Sequence, residues 1–190
     1  MSLEKEIKDY DIYKEEILHW INLKGEYRYK AIIDFMKQLN IECTWENVTA
    51  YIKYDKRLLI NLFKYMVFLE EFYKSYIMKF KNYKSSTVLR YSFSKTLDEY
   101  LLIEDNIEYD DMNLISLKDN KKSLIELRNS IVHNKILLNH KYGGKTISEV
   151  LNVVISILPK TYRSGYIKDI NNCKKGLIDN TWSIELCDWR

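Results

Sequence analysis

Lys56–Phe80, KRLLINLFKYMVFLEEFYKSYIMKF, runs without a Gly or a Pro and carries apolar residues at Leu58, Leu59, Leu62, Phe63, Met66, Phe68, Leu69, Phe72, Tyr76, Ile77 and Phe80. At about 100° per residue these positions surround a helix on nearly every side. A helix that is apolar all round is buried on several sides, so this segment is expected to be the central post of an all-α, antiparallel helical bundle. Asp55 is the expected N-cap, with the helix running from Lys56 to about Phe80. Glu70 and Glu71 interrupt it midway. Either carboxylate is a candidate partner for a buried cation, or one simply reaches solvent.

The flanking segments have the same character. Leu3–Ile21 alternates acids with Ile7, Tyr10, Tyr13, Ile17 and Trp20 and predicts an amphipathic helix ending before Gly25. Tyr27–Leu39 predicts a second helix, with Ala31, Ile32, Phe35, Met36 and Leu39 turned inward. Thr44 is placed to cap a short third helix through Ile52. Beyond the post, Ser86 or Thr87 starts a helix through Leu102, and Glu104–Asp111 reads as an exposed acidic loop. Gly143-Gly144 predicts a turn, and Thr146-Ile147-Ser148-Glu149 has the spacing of a capping box before Val150–Leu158, which Pro159 stops. A basic segment, Tyr162–Lys175, is read as helical, and Trp182, Ile184 and Leu186 alternate in the manner of a strand.

The chemistry is concentrated in Ser116–His140, SLKDNKKSLIELRNSIVHNKILLNH. It reads as one helix, Leu117–His140, on which Leu124, Ile125, Leu127, Ile131, Val132, Ile136 and Leu138 form a broad apolar arc. Arg128 falls inside that arc. A guanidinium does not lose its charge and is costly to bury alone, so a carboxylate, a second subunit or a phosphate must answer it. Asn129 and His133 stand four apart at the arc's edge. Arg128 and His133 are five apart, about 140° around the helix and about 7.5 Å along it, and only a long arm brings guanidinium and imidazole together. His140, seven residues on, falls near the same face.

The pattern Arg128-Asn129-x-x-x-His133 resembles the signature of the HEPN superfamily, all-helical ribonucleases and binding modules. The wider likeness is to the abortive-infection (Abi) proteins of bacterial phage defence, of the AbiD and AbiF type. It is carried by Leu127–Asn134 with Leu137-Leu138-Asn139, and by Tyr54–Leu59 leading into Glu70-Glu71. The N-terminal region is shorter and less basic than is usual in such proteins. The resemblance implies a HEPN-like bundle, a catalytic site of Arg128, Asn129 and His133, a homodimer with the site across its interface, and an antitoxin or a guide or non-coding RNA as further partner.

Elementary chemistry agrees with that implication. Histidine exchanges protons near neutral pH, and arginine binds a phosphate through paired hydrogen bonds. RNA brings its own nucleophile, the ribose 2′-hydroxyl, so the expected activity is a metal-independent endoribonuclease with no cofactor. The alternatives are a non-catalytic RNA-binding or regulatory module and a helical scaffold in which Arg128 is a structural ion pair.

A net charge of +3 over 190 residues does not mark a nucleic-acid binder by itself. The charges are sorted, however: Asp98–Asp111 contains acids and no base, whereas Lys118–Lys145 is strongly basic and Lys160–Lys175 is basic. Lys121, Lys122, Lys135 and Lys141 are the expected RNA contacts. Cys43, Cys173 and Cys187 have neither metal-ligand spacing nor an even count, which predicts no zinc site, no disulfide framework and a reducing, cytoplasmic setting. No signal core or membrane-length apolar run is present, so no membrane association is expected. One helical domain, residues 1–190, is expected: N-terminal helices in 1–53, a bundle core in 54–176 containing the motif helix 117–140, and a tail in 177–190.

Overall fold

A computed structural model of the chain describes residues 3–103, 112–178 and 182–187. Among these residues there are nine α-helices and no strand: α1 (Tyr10–Lys24), α2 (Glu26–Gln38), α3 (Trp45–Lys81), α4 (Ser85–Val88), α5 (Phe93–Leu101), α6 (Leu114–Asp119), α7 (Lys121–Val132), α8 (Ile147–Ile157) and α9 (Lys160–Asn171). The acidic residues 104–111, including Asp110-Asp111, lie outside the described residues.

The central post is α3. It is 37 residues long, about 55 Å at 1.5 Å per residue, and α1, α2, α4, α5, α7 and α9 all pack on it. Leu58, Leu62, Leu69, Tyr73 and Ile77 are fully buried along it. The expected start at Asp55 is corrected. Thr44 is the N-cap, its side chain accepting from the Asn47 N–H at 3.3 Å, and the helix continues unbroken through the 53/54 boundary. The short helix after Thr44 is therefore the first part of α3. Asp55 sits inside the helix, buried, because its carboxylate has distant donors: the backbone N–H groups of Leu137 at 2.8 Å and Leu138 at 3.0 Å.

Asparagine ends helices in this glycine-poor chain. Asn40, Asn82 and Asn134 have φ of 55°, 51° and 52°, the left-handed conformation that asparagine tolerates better than most residues. After α2, the N–H groups of Asn40 and Ile41 return to the carbonyls of Lys37 and Met36 at 3.1 and 2.9 Å. After α7, those of Asn134 and Lys135 return to Ile131 and Ser130 at 3.1 and 2.9 Å. Both are Schellman closures. The second corrects the expected motif helix. The segment 117–140 is α6, a break at Asn120, α7 ending at Val132 with His133 as C-cap, and then a loop. Ile136, Leu138 and His140 thus do not share a helix face with Arg128.

The expected helix from Ser86 or Thr87 to Leu102 is also divided. α4 is a single turn, and Ser92 starts α5 by accepting from the Lys95 N–H at 3.2 Å. A serine that bonds local backbone groups favours a cap over a helix interior. The capping box at α8 forms as read: the Thr146 side chain accepts from the Glu149 N–H at 3.3 Å, and the Thr146 N–H donates to Glu149 Oε2 at 2.6 Å.

Residues 182–187 belong to no helix and no sheet. Side chains satisfy their backbone instead: the Ile184 N–H donates to Tyr54 Oη at 2.9 Å, the Leu186 N–H to Asn171 Oδ1 at 2.8 Å, and Tyr51 Oη donates to the Trp182 carbonyl at 2.7 Å. Ile184 and Leu186 are buried. The alternation in the sequence is real, and its buried side faces helices rather than another strand. No helix among the described residues is long and apolar enough to cross a membrane.

Candidate functional site

α7 presents Leu124, Leu127 and Ile131, with the small Ser123 and Ser130, to the core. Arg128 sits on the edge of that buried face, between core and solvent, with 27% of its side chain exposed. Glu70, 18% exposed, answers it across the interface with α3: Arg128 Nη2 donates to Glu70 Oε2 at 3.2 Å. Of the two carboxylates the sequence offered, Glu70 is the partner. Its other oxygen takes Lys74 Nζ at 2.8 Å, so the carboxylate bridges two cations.

Arg128 and Glu70 line an open groove of about 470 Å3 together with Met66, Leu89, Ile131 and Val132. The rim is unusually apolar. Phe63 is 49% exposed, Leu89 62% and Val132 46%. A cation held at the edge of exposed apolar side chains is the surface a second chain or a ligand would cover.

Asn129 and His133 are exposed at the C-terminal end of α7, one turn apart, with the His133 N–H donating to the Asn129 carbonyl at 3.0 Å. The structure thus sets these two on successive turns, and turns the Arg128 guanidinium toward Glu70. The loop that follows is fixed from several sides. Besides Asp55 on Leu137 and Leu138, Arg28 Nη2 donates to the Asn134 carbonyl at 2.8 Å, Lys56 Nζ to Asn134 Oδ1 at 3.0 Å, and Tyr142 Oη to the Leu137 carbonyl at 3.1 Å. Burial pushes the Asp55 carboxyl up to about 6, against the opposing pull of the two N–H donors, Arg28 and Lys56.

The lysines separate into two groups. Lys121 and Lys122 begin α7, about 16 to 18 Å of helix rise from His133, and Lys121 is ion-paired with Asp98. Lys135 is exposed two residues after His133. Lys141 is exposed beside His140, whose ring meets Tyr142 edge-on at 4.8 Å. Cys43, Cys173 and Cys187 are free thiols, and burial raises the pKa of Cys43 and Cys173.

Sequence reasoning missed the residues that hold the loop: Arg28, Tyr142, and the actual roles of Asp55 and Lys56. A partial signal exists. Lys24 closes α1 and Arg28 lies in the first turn of α2, on either side of Gly25, and Lys53, Lys56 and Arg57 share one side of α3. That these two faces meet beside Asn134 is a fact of tertiary packing alone. Comparison with protein-family models, curated proteins and solved structures finds no match to this chain.

Proposed function

We propose that this protein is an endoribonuclease of the HEPN type that acts in the cytoplasm in abortive infection against phage and cuts RNA without a metal ion. The observation that carries the reading is His133: it is exposed at the end of α7, on a C-cap closed by a Schellman pair and followed by a loop hydrogen-bonded to α2 and α3. A proton-transfer group displayed to solvent on a fixed backbone, with Asn129 one turn before it, suits general acid-base chemistry, and Arg128, five residues away, would exchange Glu70 for the phosphate.

In the proposed reaction O2′ bonds to phosphorus and the P–O5′ bond breaks. The O2′ proton passes to a base and a proton is delivered to O5′, leaving a 2′,3′-cyclic phosphate and a 5′-hydroxyl. His133 moves the protons, Arg128 stabilises the charge that builds on the phosphorane oxygens, and Asn129 orients imidazole or phosphate. Acid-base help of this kind contributes about 10² to 10⁴ in rate.

The working form in this reading is a two-fold homodimer built on the groove around Arg128. Covering Phe63, Leu89 and Val132 removes exposed apolar surface. It also brings a second Arg128 and His133 to a shared cleft, which supplies both a base and an acid.

A second reading is favoured by one contact. Because Glu70 already neutralises Arg128 within the chain, the arginine also suits a structural link in a non-catalytic RNA-binding or regulatory module. Product chemistry separates the two. The enzyme yields 2′,3′-cyclic phosphate and 5′-hydroxyl ends from RNA and leaves an all-deoxy or 2′-O-methyl strand intact; the module binds and yields no new ends.

A further inference from the structure

A cavity of about 600 Å3 lies between the α1–α2 junction, the first half of α3 and the loop after His133. Lys24, Arg28, Lys53, Lys56 and Arg57 line it, and Asp55 is the single carboxylate on its wall among the described residues. Asp55 is 2% exposed with one oxygen engaged by two backbone N–H groups, and it offsets at most one of these five positive charges. Arg57 gives Nε to the Cys173 carbonyl at 2.8 Å, while its Nη2 is buried with no hydrogen-bond partner among the described residues. Leu23, Ile52 and Ile136 give the cavity apolar sides. Lys24 lies over the Trp20 ring at 4.2 Å, and Arg28 and Lys56 each give one hydrogen bond to Asn134, so these side chains are held by neutral groups. The wall keeps an excess of positive charge that an anion would offset.

We infer that this cavity is a phosphate-binding site for a nucleic-acid strand, holding backbone phosphates adjacent to the link that is cut. The inference rests on the proposed ribonuclease reading for its choice of ligand. Position favours a strand over a free anion. α7 runs antiparallel to α3, since Arg128 meets Glu70 while Asn134 meets Lys56. The cavity therefore opens at the His133 end of α7, and Asn134, which takes hydrogen bonds from Arg28 and Lys56, is the residue next to His133. A chain of phosphates continues naturally from the one place to the other, and the apolar sides suit the face of a base.

The test uses the full chain and a fluorescent 2′-O-methyl oligonucleotide, which has no free 2′-hydroxyl, in anisotropy titrations at several salt concentrations. Lys53→Glu is the main variant, because Lys53 is exposed and lines the cavity. Lys118→Glu, an exposed lysine on α6, makes the same change of charge elsewhere. Lys53→Glu should weaken binding about tenfold or more and lower the salt slope by about 0.7 for each phosphate that is no longer neutralised, whereas Lys118→Glu stays within about twofold of the parent. Equal effects of the two variants, or none from Lys53→Glu, overturn the inference. So does micromolar binding of a nucleoside triphosphate in the cavity without any binding of the oligonucleotide. His133→Ala should bind like the parent and fail to cut. If Lys53→Glu abolishes binding while the parent cuts no RNA, the phosphate site stands and the ribonuclease reading falls.

Discussion

Arg128 donates to Glu70 across the α7–α3 interface at 3.2 Å, and Lys74 holds the opposite oxygen of the same carboxylate at 2.8 Å. The pair is partly open to solvent, so it contributes only about 1 kcal/mol to stability. If Arg128 serves catalysis, Glu70→Gln should leave RNA cleavage within about threefold, while Arg128→Ala lowers it by about 100-fold or more, the scale of removing one charge-stabilising donor. Arg128→Lys should also lose most activity, because lysine lacks the planar fork. Unfolding titrations of both single variants and the double variant complete a cycle. Parallel losses of stability with no selective loss of cleavage would assign Arg128 to structure alone.

The apolar rim gives a second expectation. Phe63→Glu, placed at a half-exposed position on the groove, should leave the monomer folded, since its side chain already meets water, and should split the proposed dimer. Sedimentation velocity at micromolar concentration would show a shift from the dimer to the monomer mass, with cleavage reduced in step. A parent protein that sediments as a monomer removes the dimer from the account.

Asp55 makes stability depend on pH in a direction opposite to most paired carboxylates. Its pKa is raised in the fold, from the ordinary 3.8 to about 6, so between about pH 4 and pH 6 the native state binds more proton than the unfolded chain. The contribution of this group therefore falls as pH rises through that window, by on the order of 3 kcal/mol, and is level above it. Asn at this position keeps an oxygen for the Leu137 and Leu138 N–H groups and does not titrate. Urea unfolding of the parent and of Asp55→Asn across pH 4 to 7 should diverge accordingly, and parallel curves would contradict the assignment.

The turn at Gly143 is tighter than the one at Gly144. Gly143 has φ of 57° and a Cβ there would lie 2.7 Å from Ser123 Oγ, whereas Gly144 has φ of 89° with open space around it. Ser123 is buried against this turn. Gly143→Ala should cost about 2 to 3 kcal/mol, and Gly144→Ala about 1 kcal/mol from backbone strain alone. Chemical unfolding of the two variants in parallel checks the order, and equal costs would mean that Ser123 moves aside freely.

How much of this could be read from the chain depended on whether the deciding contact was local. The capping box at Thr146 rests on residues within one turn of each other and forms as read. Thr44 caps a helix as read, but that helix does not end at Ile52 and runs on as the post, whose expected start at Asp55 it replaces. Asp55 looks like an N-cap by every local rule. It stays inside α3 because its carboxylate serves the N–H groups of Leu137 and Leu138, more than eighty positions away, which no window of sequence displays. The end of α7 was nearer to reach: Asn134 follows His133, and asparagine in the left-handed region is a known helix stop, but the apolar residues Ile136 to Leu138 continued the periodicity and outweighed it. At the site, the Arg128-Asn129-x-x-x-His133 spacing and the choice between Glu70 and Glu71 were visible, whereas the meeting of Arg28 with Lys56 at Asn134 was not.

The most direct measurement is incubation of the purified full chain with total RNA in EDTA, beside the His133→Ala protein, with product ends characterised. The account predicts cleavage by the parent to 2′,3′-cyclic phosphate and 5′-hydroxyl ends, none of an all-deoxy strand, and none by His133→Ala at unchanged circular dichroism. Cleavage that requires added divalent metal, or that proceeds equally in His133→Ala, would contradict it.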